Sequence, residues 1–392
     1  MGEAITLEQR LDTVLNGGIP DRVPCIPLVY YFAATYARVP FQDFMMSMES
    51  YRRAMDCCFR DLGAWDAMYP LPLTMDAPHY DITWGAGVGM KPKIPEGGGE
   101  EAKIWQLAEK ETLMDEADYA DIIACPLDGH LHPLLKFMVT LIARLDGESP
   151  DMRFWLLRFF PRLLRLGARW ASEFERWRLR GIPNFISFSL EAPFNTFSMA
   201  RGLPGFSRDL FERPEEVRQA SLKLARSASL AAGLVCRLFR LKRFLLLCHR
   251  TSNDFISPGQ FVELAYPSLK LVAEELAKHR IIFAMHLDGN WDLNLETMLD
   301  LPENTCFQFD GSTDIFRARK ILGDRYTIMG DVPADMLTVG SPTEVEDYSI
   351  KLIREVGAQG RFILSSGCEV PANARPENVK AMIDAAKKYG RY

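Results

Sequence analysis

Short runs dense in apolar residues recur along the chain. Each ends in polar or charged residues, and most are followed by a stretch with helical spacing. Eight runs can be counted: Val23–Val29, Ala64–Tyr69, Asn184–Glu191, Arg243–His249, Ile281–Asp288, Thr305–Asp310, Tyr326–Asp331 and Arg361–Cys368. Near-continuous apolar runs are the mark of strands in a parallel sheet, where both faces are buried. Between the later runs, Pro258–Lys278, Ile315–Leu322 and Pro342–Val356 predict helices. The last opens on Ser341-Pro342-Thr343-Glu344, with Ser as N-cap, Pro at the first helical position and a carboxylate at the third. Strands alternating with helices imply a parallel α/β sheet, and eight units imply closure into a (β/α)8 TIM barrel. Residues 1–392 are expected to form one such domain.

Two regions break the pattern. Thr83–Gln106, rich in glycine and with two prolines, predicts a hairpin insertion, and 83–180 is read as that insertion plus peripheral helices. Asp151–Arg180 is helical in spacing and dense in arginine and aromatics. It is either a basic face for a partner or anionic lipid, or an outer helix with snorkelling arginines; Glu173 and Glu175 within it favour the latter.

Composition narrows the function classes. A net charge of -6 gives no nucleic-acid footprint. No window of about 18 uncharged apolar residues suggests a membrane span, and the polar amphipathic start MGEAITLEQRLDTVLNG has no signal-peptide core. Eight scattered cysteines, none in a CxxC pair, point to reduced thiols and a cytoplasmic protein rather than a disulfide framework. A homodimer is left open.

In this barrel the active site lies at the C-terminal ends of the strands. The run ends therefore supply the candidates: Tyr30, Tyr31, Phe32, Asp66, Glu191, His249, Arg250, His286, Asp288, Asp310, Asp331, Cys368 and Glu369. His286 and Asp288 stand two apart and project to one side of a strand. One imidazole, one thiolate and one or two carboxylates above the bore would suit a catalytic Zn²⁺ with an open position. Each has a plainer reading: His286 as a hydrogen-bonded core residue, Cys368 as a small packed side chain, Asp331 as the cap of the next turn.

The stretches ISPGQFVELAYPSLK (256–270), MHLDGN (285–290), GDVPADMLTVGSPTEVE (330–346) and GCEVPANARPENVKAMIDAAKKY (367–389), with the D-R-V-P near the start, resemble the uroporphyrinogen decarboxylase superfamily over nearly the full length. Within it, uroporphyrinogen decarboxylases hold their substrate's carboxylates with arginines after the first strand; here that position reads YYFAATYAR (30–38). The other branch, the corrinoid-dependent methyltransferases, carries a zinc motif of the H-x-C…C type, which His286 and Cys368 match and Asp288 alters.

The resemblance therefore implies a zinc methyltransferase. Zinc would be held by His286, Cys368 and one or both of Asp288 and Asp310. A carboxylate in place of a thiolate makes a harder site that favours an oxygen donor over a thiol. A methyl group would leave a methoxylated or other small donor for the Co(I) of a corrinoid, carried by a separate protein because this chain has no D-x-H-x-x-G motif. Glu369, Glu191 or His249 would supply a proton or orient the donor. Tyr30, Tyr31, Phe32 and Trp291 would wall its pocket, with Asp66, Arg250 and Asp331 as further substrate contacts. Three alternatives stand beside this: a metal-free lyase on another carboxylated substrate, with Arg250, Arg201 or Arg38 facing inward; a non-catalytic barrel; and methyl transfer in the reverse direction.

Overall fold

A computed structural model describes residues 5–69, 92–93, 106–107, 112–125, 132–146, 151, 157–158, 160–186 and 189–392. Pro92–Lys93 (β1) and Gln106–Leu107 (β2) pair antiparallel; the rest of the hairpin expected at 83–106 lies outside the described residues. The remaining strands are β3 (Ser189–Glu191), β4 (Arg243–Cys248), β5 (Ile282–Leu287), β6 (Cys306–Phe309), β7 (Thr327–Val332) and β8 (Phe362–Ser366). They form one parallel sheet in sequence order.

The first two apolar runs close the ring without forming continuous strands. Ile26 N donates to Leu364 O and Leu364 N to Pro24 O, joining the first run to β8. Asp66 N donates to Cys25 O, joining the first run to the second. Met68 then pairs with Asn184, just before β3. Pro24 and Pro27 lack the amide a ladder needs, so the first stave is held by isolated bridges. With eight staves in the order 1 to 8 and back to 1, the chain is a (β/α)8 barrel.

The helix Leu7–Leu15 opens with a Thr6/Gln9 capping box and closes the N-terminal end of the bore. Thr327 Oγ1, at the start of β7, donates to Val14 O, and Arg243, at the start of β4, pairs with Glu8 and Asp12. Helix Pro342–Lys351 carries the expected Ser341/Glu344 capping box. Helix Phe160–Leu179 pairs the arginines of its last turn with carboxylates. Arg176 stacks over Trp177 and pairs with Asp56 and with buried Glu173, and Arg178 pairs with Glu175. No helix among the described residues is long and apolar enough to cross a membrane.

Candidate metal centre

Strand register sets the level of each bore-facing side chain. Glu191 on β3 pairs with Leu247, Leu247 with His286 on β5, and His286 with Gln308 on β6. Register partners in parallel strands project to the same face, so Glu191, His286 and Gln308 share one layer of the bore. Two residues further on, His249 and Asp288 form the next layer, toward the C-terminal mouth. The loop after β8 brings Cys368 to the same place. That loop runs so close to the end of β6 that a Cβ on Gly367 would lie 2.2 Å from Asp310 O. Gly289, at φ +83°, turns the chain just after Asp288, where a Cβ would strike Asp254 and Ser252.

The donor atoms converge. His286 Nε2 lies 3.1 Å from Asp288 Oδ1 and 3.4 Å from Cys368 Sγ. His249 Nε2 lies 3.4 Å from Asp288 Oδ2, and its Nδ1 is 3.4 Å from Glu191 Oε1. Ligand atoms of His249, His286 and Asp288 all fall within 4.8 Å of one another. Zinc bonds of about 2.0–2.3 Å in tetrahedral array set ligand edges of roughly 3.3–3.8 Å, so the three contacts are close to the spacing a small tetrahedron needs. Two imidazoles, a carboxylate and a thiol are also a chemically suitable set, and the residues fit the metal.

Electrostatics bind this group together. Burial alone would lower the His286 pKa, but Asp288 and Cys368 raise it well above the usual imidazole range. Burial alone would raise that of Asp288, yet His286 and His249 hold it well below the usual carboxylate range. Burial and the Asp288 charge push the Cys368 thiol up, against the pull of His286. Burial also raises Glu191, which receives Asn195 Nδ2 at 3.3 Å. Asn195 in turn accepts from Arg250 N, tying the loop after β4 to helix Pro193–Arg201.

Several expected site residues have other work. Asp310, expected as a ligand, clamps the adjoining loop: Oδ2 accepts Gly289 N and Ser312 Oγ, and Oδ1 accepts Ser312 N. Asp66 is corrected from substrate contact to a structural carboxylate, buried among Arg10, Arg22 and Cys25 N beside the helix that closes the bore. The Tyr31 ring packs on Phe41 and Phe44, and that of Phe32 on Tyr36, so both belong to the helix layer rather than the pocket wall. Trp291 is fully buried against Phe261 and donates to Asp288 O, which supports the ligand loop from behind. Arg250 reaches Ser198 O and Arg201 is paired with Asp209, so neither is a spare carboxylate clamp. Glu369 accepts Tyr31 N, and both Glu369 and Cys368 act electrostatically on the buried Tyr30 hydroxyl. The expected roles leave out Gln308, Tyr69 and Asn195. Tyr69 ends the second run and was reachable by the strand-end rule, and Gln308 stands two residues below Asp310 on the same strand.

Asp331 turns to the helix layer, where the Tyr348 hydroxyl donates to it at 2.8 Å, and is not a substrate contact. Burial pushes its pKa up to about 7. An unfolded aspartate titrates near about 4, so the native state binds the extra proton between these values. The contribution of Asp331 to stability is greatest below about pH 4, falls as pH rises toward about 7 and is flat above. Asp331→Asn lacks this titration. The variant's Tm relative to wild type is expected to rise between pH 5 and pH 8; parallel Tm curves over that window would contradict the assignment.

Residues 184–389 match the family model for uroporphyrinogen decarboxylase (URO-D), more than half of the chain, and the chain belongs to that family. Among curated relatives, uroporphyrinogen decarboxylase from Coxiella burnetii is 22% identical over 146 residues, 36% of this chain and 39% of that protein. The matched stretch thus spans well under half of those relatives. A solved methyltransferase from Methanosarcina mazei is similar in fold, with a TM-score of 0.69 at 15% identity over 98% of this chain and 99% of its own.

Proposed function

We propose that this chain is a zinc-dependent methyltransferase that moves a methyl group from a methoxylated or other small donor to the Co(I) corrinoid of a partner protein. The observation that carries this reading is the convergence of His249, His286 and Asp288 at the barrel mouth, with Cys368 Sγ 3.4 Å from His286 Nε2. Family membership and a full-length fold neighbour described as a methyltransferase support it. So does the Tyr30–Phe32 segment, which offers no arginine to hold a polycarboxylate.

His286, Asp288, Cys368 and His249 would hold the zinc. His249 replaces Asp310 in the set expected from sequence. When bound, zinc supplies Lewis-acid stabilisation of the charge that develops on the departing oxygen. Glu191 Oε1 lies 3.4 Å from His249 Nδ1, where it would orient the ring with Nε2 toward the centre, as carboxylates behind metal-binding histidines do. Glu369 anchors one oxygen on Tyr31 N and keeps the other to hold or move a proton. The partner's Co(I) would supply the electron pair for the new bond to the methyl carbon as the carbon–oxygen bond breaks. The oxygen keeps the bonding pair and takes up a proton.

The test is a transfer assay with zinc-loaded protein, a Co(I) corrinoid protein and a methoxylated arene, read by the absorbance of methyl-cobalt. Zinc-dependent methylation of the corrinoid is expected. Zinc-independent release of CO2 from a carboxylated substrate, with no methyl transfer, would contradict the proposal in favour of a lyase.

A further inference from the structure

Beside the ligand cluster lies a group of polar side chains that the reading above does not use. Gln308 stands next to His286 in strand register and faces the bore, almost fully buried. The Tyr69 hydroxyl donates to Gln308 Oε1 at 2.9 Å, which fixes the amide and leaves Nε2 without a partner among the described residues. Tyr30, also buried, sets its ring edge-on to Tyr69 with centroids 6.2 Å apart, and its hydroxyl has no partner either. The charges of Cys368 and Glu369 act on the Tyr30 hydroxyl, and those of Cys368 and Asp288 on that of Tyr69. Gln308, in register beside His286, thus adjoins the ligand cluster, and Tyr30 reaches the same place by packing on the Tyr69 that holds it.

A buried N–H or O–H left without an acceptor is costly, and side chains held this way mark a place where a ligand supplies the missing atom. We propose that Gln308, held by Tyr69, and Tyr30 form the subsite that receives the leaving oxygen of the methyl donor, restricting donors to molecules with a hydrogen-bond acceptor at that position. This rests on the proposed methyl-donor site. An amide NH2 and a phenol O–H both point their hydrogens into the subsite and so recognise lone pairs: an ether, phenolate or alkoxide oxygen fits. An alkylammonium group has no lone pair to offer and is excluded. Donors preset where negative charge builds on the oxygen need no rearrangement during transfer.

Isothermal titration of 2-methoxyphenol and of trimethylammonium, each into wild type, Gln308→Leu and Tyr30→Phe, with and without added zinc, tests this. In wild type, 2-methoxyphenol should bind at least about 10-fold more tightly than trimethylammonium, and each variant should lose about 10-fold for 2-methoxyphenol while zinc stoichiometry stays unchanged. Tyr30→Phe removes a single oxygen, so it keeps the test intact should Gln308→Leu misfold. Affinities within twofold of wild type in a folded variant, a preference for trimethylammonium, or no binding of 2-methoxyphenol to wild type would overturn the inference. Binding that depends on Gln308 and Tyr30 in a protein that takes up no zinc would keep the subsite and sink only the zinc reading.

Discussion

His286→Ala is expected to strip the protein of zinc. Its Nε2 contacts both Asp288 and Cys368, so its loss opens two edges of the ligand set at once. Removing an outer partner of a metal ligand costs about 10–100-fold in affinity, and removing this ligand should cost more than about 100-fold. Zinc per chain after desalting should fall from about one to near zero. Methyl transfer should fall with it, because the developing charge loses its Lewis acid. The fold should survive, since the imidazole makes no bond to the barrel frame and its Nδ1 has no partner among the described residues. A variant that keeps full zinc occupancy would show that the cluster is a hydrogen-bonded set rather than a metal centre.

Asp66→Ala should act in the opposite way, on stability and not on chemistry. The Asp66 carboxylate accepts Arg10 Nη1, both Arg22 Nη atoms and Cys25 N at 2.7–2.8 Å, and is almost fully buried. Removing it leaves Arg10 with Asp21 alone and takes the carboxylate from Arg22 and from Cys25 N at the bottom of the barrel. Breaking one partner out of a buried ion network costs about 3–5 kcal/mol, which reads as a lower urea midpoint at unchanged slope. Zinc content of the folded fraction should match wild type, because the network lies at the closed end of the bore. A variant as stable as wild type, or one that is stable but loses zinc, would contradict the assignment of Asp66 as structural.

How much of this is legible in the sequence follows from what each feature depends on. The later staves are readable because a strand buried on both faces must be apolar at every position, as RFLLLC of β4 is. The helix Pro342–Lys351 is readable because capping chemistry is local. The first stave is only half readable: its apolar run is plain, but the prolines that reduce it to bridges also obscure its partner in β8, more than 330 residues away. At the site, His286, Asp288 and Cys368 follow from strand ends and family motif. Asp310 is ambiguous for a physical reason. An aspartate at a strand end reads alike whether it faces a metal or clamps the next loop, and only the positions of Gly289 N and Ser312 N decide. Asp66 misleads in the same way, because a run's polar residue need not lie at its C-terminal end. Gln308 escapes notice because its importance lies in register with His286 across two strands, which no single-chain spacing encodes.

The most direct test of the metal centre is X-ray absorption at the zinc edge of zinc-loaded wild-type protein. The account predicts a first shell with imidazole nitrogen and carboxylate oxygen at about 2.0–2.2 Å and one sulfur at about 2.3 Å, completed by an exchangeable water or donor oxygen, the sulfur disappearing in Cys368→Ala. A shell without imidazole and sulfur scattering, or zinc lost entirely on desalting, would contradict it.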